Sequence, residues 1–356
     1  MKIWQLRIDK SYMPKVSILV PTYNESNIIR FKLQNLNKVK YPKDLTQIII
    51  VDSKSSDNTI DVVNDFVKRH PESNTKVLVE SKRKGKSAAL NFALKYCEGE
   101  IIIVSDADCF WPSDILQKAL PFLADPDVGA VSGRKILLNS RDSWVTKTED
   151  DHLNIMNIMR LGESKVCSTP FFEGGFSAYK KELLESFDPY NTGSDDCGTV
   201  IMMAEKKSKA ILVREAKFFT TFPVTWRENI NIKTRRANQL VRVFGKYFYL
   251  LLKGRIKSPK RVIINYVFLY LFSPVIFFVL LMTTVYLVWK FPYFASIFLV
   301  FLIPRVGSHL FEIVQNYLLL LLSIFSIALS KKFVVWSKPS NRALLTEDVL
   351  RQYRLI

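Results

Sequence analysis

The chain predicts an α/β domain on a mostly parallel sheet, followed by interfacial amphipathic helices and a small α-helical transmembrane domain. Three observations predict it. Between Val16 and Val131 short β-branched runs alternate with longer stretches of helical periodicity, a basic and aromatic segment follows later, and after it Val262 to Trp289 carries no charge. The 356 residues leave room for one catalytic-sized domain and an appendage, since single cores stop growing near about 250–300 residues.

Strands are expected at Val16–Val20, Gln47–Val51, Lys76–Val79, Glu100–Val104 and Val128–Val131, and helices at Glu25–Asn37, Asp57–Arg69, Lys86–Cys97 and Ser113–Leu123. Such alternation puts helices on both faces of the sheet and ligands outside the carboxyl ends of the strands. Residues 132–226 are less regular, with a helix-like stretch from Asp142 to Met159 and loops containing Phe172-Glu173-Gly174-Gly175 and Gly193-Ser194-Asp195-Asp196.

A net charge of +18 and a pI near 9.6 fit nucleic acid, an anionic membrane or a phosphorylated substrate, so the position of the charge decides. Residues 227–261 hold eleven lysines and arginines against one acid, Glu228, interleaved with residues such as Phe244, Tyr247 and Phe248. That is the make-up of helices lying in a membrane interface. The uncharged run that follows favours membrane lipids over nucleic acid as the partner: as a helix its 28 residues extend about 42 Å, enough to cross a bilayer. A second apolar block, Asn316 to Ser330, extends back through His309 despite Glu312, whereas Pro292 to Pro304 offers only about 20 Å of helix. Lysines and arginines flank both ends, so an even number of crossings is expected, two preferred and three the rival.

The expected organisation is a catalytic domain over 1–226, interfacial helices over 227–261, a transmembrane region over 262–330 and a cytoplasmic tail over 331–356. The first residues lack an apolar run of signal-peptide length, so the first domain is expected in the cytoplasm and the chain is expected to be a multi-pass membrane protein. The scattered Cys97, Cys109, Cys167 and Cys197 read as reduced thiols, and the separated His70, His152 and His309 as surface or packing residues. Nothing in the residues sets the oligomeric state.

The chemistry concentrates at strand ends. Ser105-Asp106-Ala107-Asp108 follows the apolar strand ending at Val104, and two carboxylates one residue apart can face one Mg²⁺ or Mn²⁺ whose other ligands are diphosphate oxygens. The loop Pro21-Thr22-Tyr23-Asn24-Glu25 opens a helix and can contact a nucleotide. Asp52 offers a carboxylate to a ribose or base, and the basic turn from Ser81 through Lys86 to Ser87 suits a phosphate.

With these pieces in order, VSILVPTYNES, IIIVDSKSSDNT, KGKSAALNFAL, IIIVSDADCFWP, FFEGGFSAYKKELL and GSDDCGTV, the chain resembles glycosyltransferase family 2. These are enzymes of the Rossmann-like GT-A nucleotide-diphospho-sugar transferase fold, and this chain resembles a reduced cellulose-synthase-like member. The resemblance covers about Val16 to Arg242. It implies that Asp52 and the loop Pro21, Thr22, Asn24, Glu25 hold the nucleoside, Lys86 approaches base or phosphate, Asp106 contacts ribose or hydrated metal, and Asp108 ligates the metal. It also implies that Glu173 and Gly174 floor the sugar and that, of the pair Asp195-Asp196, Asp196 deprotonates the acceptor. The family's QxxRW element finds only partial matches, Lys233 with Arg236 or Gln239 with Arg242, both lacking the tryptophan associated with holding a growing polymer, so a single addition is expected. Arg235, Arg236 and Arg242 are then expected to clamp the diphosphate. Phe333, Val335, Trp336 and Lys338 resemble the FxVTxK gating loop of cellulose synthase.

Together these imply an inverting, metal-dependent hexosyltransferase using a nucleotide-sugar donor, GDP-mannose before UDP-hexose. The acceptor is expected to be polyprenyl-linked, as in lipid-linked oligosaccharide assembly for N-glycosylation. A polyprenyl-phosphate glycosyl synthase, a processive polysaccharide synthase and a non-catalytic nucleotide-binding membrane protein are the alternatives.

Overall fold

The computed structural model describes residues 5–256, 259–329 and 344–356. Its α/β part runs β1 (Val16–Thr22), α1 (Ile29–Asn37), β2 (Thr46–Asp52), α2 (Thr59–Arg69), β3 (Thr75–Val79), α3 (Lys86–Leu94), β4 (Ile101–Val104), α4 (Ile115–Ala119), β5 (Val128–Leu137), α5 (Trp144–Val166), β6 (Ser177–Lys180), α6 (Cys197–Glu205) and β7 (Lys209–Thr220). The seven strands lie in the order β3-β2-β1-β4-β6-β5-β7. β6 runs antiparallel between β4 and β5, and the other pairings are parallel.

The β-branched runs are apolar on both sides because both faces are covered. Alternate residues divide accordingly: Ile18, Ile50 and Ile103 pack with Leu33, Phe66 and Leu116 of α1, α2 and α4, while Leu19, Ile49 and Ile102 pack with Leu90 of α3 and Met203 of α6. The sequence reading misses β6 and β7. β6 has four residues, and β7 is broken by Arg214, Glu215 and Lys217. α5 continues seven residues past Met159, to Val166, opening on a capping box in which Ser143 and Thr146 exchange hydrogen bonds.

The basic segment forms the single helix α7 (Trp226–Leu252), capped by the Thr225 side chain on Glu228 N. α8 (Lys260–Val267) continues through a π turn over Phe268–Phe272 into α9 (Ser273–Lys290). A 3-10 segment, Pro292–Leu302, then leads to α10 (Pro304–Ala328). Among the described residues two stretches are long and apolar enough to cross a membrane, Lys260–Lys290 and His309–Ile327. α10 lies along α7: Trp226 Nε1 donates to Gln315 Oε1 (2.7 Å), Asn238 Nδ2 to Ser326 Oγ (3.1 Å), and Lys233 pairs with Glu312 at 3.0 Å. That pairing is why an acid is tolerated within an apolar block.

Residues 333–338, the gating-loop resemblance, lie outside the described residues. From 344 the tail rests on the α/β domain, where Leu345, α11 (Glu347–Gln352) with Leu350, and Leu355 pack against Ile28 and Phe110.

Candidate active site

The carboxyl ends of β1 and β4, the loops before α3 and α6, and the inner faces of α5 and α7 enclose a cavity of about 370 Å³. The segment 105–109 enters it directly from β4. It is held from beneath by Lys32 of α1, whose Nζ donates to Ser105 Oγ and to the Cys109 carbonyl, both at 2.6 Å, and stands 4.5 Å from the Trp111 ring centroid. Lys32 is fully buried, and desolvation pushes its pKa down to about 7 although Cys109, Asp106 and Asp108 oppose the shift. A lysine in an amphipathic helix reads as solvated, so only the fold reveals this role.

Asp106, Asp108 and Cys109 bring ligand atoms within 4.8 Å of one another. Two carboxylates at that spacing suit a hard cation with oxygen ligands, Mg²⁺ or Mn²⁺. The Cys109 thiol does not fit such an ion: burial pushes its pKa well above the usual thiol range, and it donates toward Asp108 Oδ1 at 3.7 Å.

Lys86, at the start of α3 after Gly85 (φ 103°), joins the two acidic groups. Its Nζ lies 2.6 Å from Asp106 Oδ1 and 2.8 Å from Asp195 Oδ2. Against the penalty of burial, Asp106, Asp195 and Asp196 raise its pKa further, so it stays an ammonium. Asp195 is pushed up to about 6, chiefly by burial; Lys86 pulls it down, while Asp196 and Asp106 push it up. Asp196 caps α6: its Oδ1 accepts from Cys197 N at 2.7 Å and from Ser194 Oγ. Asp196 thus both caps the helix and lines the cavity.

Gly174 lets the backbone approach this pair: a Cβ there would sit 2.5 Å from Lys86 Nζ and 2.8 Å from Asp106 Oδ2, so those side-chain ends would have to shift. Glu173 beside it meets Arg160 Nη1 at 2.6 Å and Lys135 Nζ at 3.7 Å. Burial would raise its pKa, but Lys135 and Arg160 outweigh it and hold the carboxyl down at about 2.

Pro21, Thr22, Glu25, Lys86, Asp106, Asp108, Glu173, Gly174, Asp195, Asp196, Arg235, Arg236 and Gln239 all line the one cavity, whereas Asn24, Asp52 and Arg242 do not. Asp52 is wholly buried, and its oxygens accept from Ser55 N (2.7 Å) and Thr22 Oγ1 (3.0 Å), which ties it to the loop. Asn24, at φ 55°, bridges the same loop, with its N–H donating to Ser55 Oγ and its Oδ1 accepting from Ser56 N, each at 2.8 Å. Arg242 lies farther along α7 on a separate groove. Arg236 reaches the cavity but its Nη1 pairs with Glu149 Oε1 at 2.9 Å, and Gln239 Nε2 donates to the Gly193 carbonyl. Lys135, His152, Met156 and Arg160 join the lining without a signal in the sequence, because α5 and the far half of β5 have no recognisable motif.

The profile of the glycosyl transferase family 2 matches residues 17–187. A beta-monoglucosyldiacylglycerol synthase of Trichormus variabilis is 31% identical over 188 residues, 52% of this chain and 40% of that protein. The chain thus spans well under half the length of that relative. A dolichyl N-acetyl-alpha-D-glucosaminyl phosphate 3-beta-D-2,3-diacetamido-2,3-dideoxy-beta-D-glucuronosyltransferase of Methanococcus voltae is 35% identical over 102 residues, 29% of this chain and 32% of that one. Among solved structures, a mannosyltransferase from Pyrobaculum calidifontis in complex with GDP-Man and Mn²⁺ matches with a TM-score of 0.79 at 30% identity, covering 93% of this chain and 92% of that chain. With the strand-end motifs, the GT-A sheet and a full-length structural relative in agreement, the chain belongs to glycosyl transferase family 2.

Proposed function

We propose that the chain transfers one hexose, with inversion, from a nucleotide diphospho-sugar to a lipid-linked acceptor at the cytoplasmic face of a membrane. The observation that carries this reading is the convergence of Asp106, Asp108, Lys86, Asp195 and Asp196 on one cavity. GDP-mannose is the favoured donor, UDP-hexose the next, supported by the GDP-Man complex of the Pyrobaculum mannosyltransferase. The lipid acceptor is supported by relatives whose names carry diacylglycerol and dolichyl groups, and by the apolar helices beside the cavity.

In this mechanism Asp196 accepts the proton of the acceptor hydroxyl as its oxygen attacks the anomeric carbon and the bond from that carbon to the diphosphate breaks. Among the described residues the second Asp196 oxygen takes no hydrogen bond, so it can serve as the base. Such a base contributes about 10²–10⁴ in rate. Lys86 and Arg235 face the departing diphosphate and stabilise its charge. A divalent cation held by Asp106 and Asp108 would neutralise more of that charge.

The test presents labelled nucleotide sugars to membranes containing the expressed protein and follows label into extracted lipid. The reading expects transfer from GDP-mannose with Mn²⁺ or Mg²⁺. Donor hydrolysis without any glycolipid product contradicts it. Full activity of Asp196→Asn would instead select the polyprenyl-phosphate glycosyl synthase, whose phosphate acceptor needs no base.

A further inference from the structure

We propose that a second groove, along α7, holds the phosphate of the lipid acceptor, an inference that rests on the lipid-acceptor reading above. The groove encloses about 590 Å³ between the loop Tyr190–Thr192, α7 and the apolar helices. Its chemistry is divided. Arg242 and Lys246, one turn apart on α7, supply positive charge, and Leu271, Ile324 and Ile327 supply an apolar wall. A polyprenyl phosphate has the same division, an anionic head on an uncharged hydrocarbon chain.

The two cations are held in place. Arg242 Nε donates to Asn238 Oδ1 at 3.0 Å, and Asn238 is itself tied to Ser326 of α10 at 3.1 Å. Lys246 Nζ stands 4.6 Å from the Tyr190 ring centroid and 5.1 Å from that of Tyr249. Guanidinium and ammonium at this spacing suit the oxygens of one phosphate group.

The groove is also aligned with the active site. Arg235 and Gln239 face the catalytic cavity while Arg242, Lys246 and Tyr249 face the groove. The spacing of four, three, four and three residues makes a single stripe along one face of the helix. Lys246 and Arg242 therefore lie about 5–10 Å along the axis from Gln239, by the rise of a helix. The loop is shared in the same way: Tyr190–Thr192 wall the groove, Gly193 accepts from Gln239, and Ser194–Asp196 wall the cavity. A phosphate in the groove with its chain against Leu271 and Ile324 would point its sugar toward Asp195 and Asp196.

The test uses the full chain in neutral detergent and tritiated geranylgeranyl phosphate as the probe. Wild type should bind it saturably, with neither inorganic phosphate nor geranylgeraniol displacing it at equal concentration. Arg242→Gln and Lys246→Gln should each weaken binding about tenfold, the weight of one charge-assisted contact. Arg227→Gln, an exposed cation on the same helix outside the groove, should bind as wild type. Donor hydrolysis should be unchanged in Lys246→Gln and Arg227→Gln. Wild-type binding by both groove variants, or equal displacement by phosphatidylglycerol, overturns the proposal. Failure of the lipid-acceptor reading looks different: wild type then transfers label to no lipid, whatever the variants bind.

Discussion

Replacing Glu173 by glutamine removes the anion that faces Arg160 and Lys135 in the floor of the cavity. Its carboxylate is 17% exposed and lies 2.6 Å from Arg160 Nη1 and 3.7 Å from Lys135 Nζ. Its pKa falls from 4.5 to about 2 despite burial. At about 1.4 kcal/mol per pKa unit the interaction stabilises the folded state by roughly 3 kcal/mol, the same order as the ~3–5 kcal/mol lost on breaking a buried pair. For a domain of this size about 1 kcal/mol moves Tm by roughly 2–4 °C, so Glu173→Gln should melt about 6–12 °C lower at pH 7 by differential scanning fluorimetry in neutral detergent. The pH dependence has a fixed sign. Because the folded pKa lies below the unfolded value, the stabilisation is complete above about pH 4.5 and is lost as pH falls toward about 2. The gap between wild type and variant should therefore close on acidification. A variant melting within a degree or two of wild type at pH 7, or a gap indifferent to pH, would refute the assignment of Glu173 to this buried ion cluster.

Gly174→Ala places a methyl against Lys86 Nζ and Asp106 Oδ2, and steady-state kinetics should show kcat/KM falling about 10²-fold while the melting temperature holds. Asp195 titrates near 6, above its unfolded value of 3.8, so the folded state binds the extra proton between those values and stability should fall as pH rises from about 4 to about 6. Melting curves of Asp195→Asn should lack that fall. Lys32→Met removes the donor to Ser105 Oγ and the Cys109 carbonyl, and the Mn²⁺ concentration giving half-maximal activity should rise about 10–100-fold, as for other supports of metal-binding side chains.

The strand-end residues were legible because a parallel sheet covered on both faces writes its strands as continuous β-branched runs, and the polar residue after each run falls at the ligand edge. Asp106, Asp108, Lys86 and the loop at Pro21 are read in this way, and Asp195-Asp196 through the family resemblance, and the fold brings them to one cavity. Asp52 satisfies the same pattern but is wholly buried outside the cavity lining, where Thr22 and Ser55 donate to its oxygens. The stripe on α7 offers two registers of the partial QxxRW match, and only the fold shows that Gln239 lines the cavity and Arg242 the groove. Lys32, Lys135 and Arg160 were invisible because burial of a cation depends on partners distant in sequence.

The central claim, that Asp106, Asp108 and Asp196 serve one metal-dependent transfer site, is tested most directly by comparing Asp108→Ala with Asp196→Asn in two assays. These are calorimetric binding of GDP with and without Mn²⁺, and transfer of labelled mannose from GDP-mannose to lipid. The account predicts that Asp108→Ala loses the Mn²⁺-dependent part of GDP binding together with transfer, whereas Asp196→Asn binds GDP as wild type but transfers about 10²–10⁴-fold more slowly. Mn²⁺-dependent binding and transfer left intact in Asp108→Ala would contradict it.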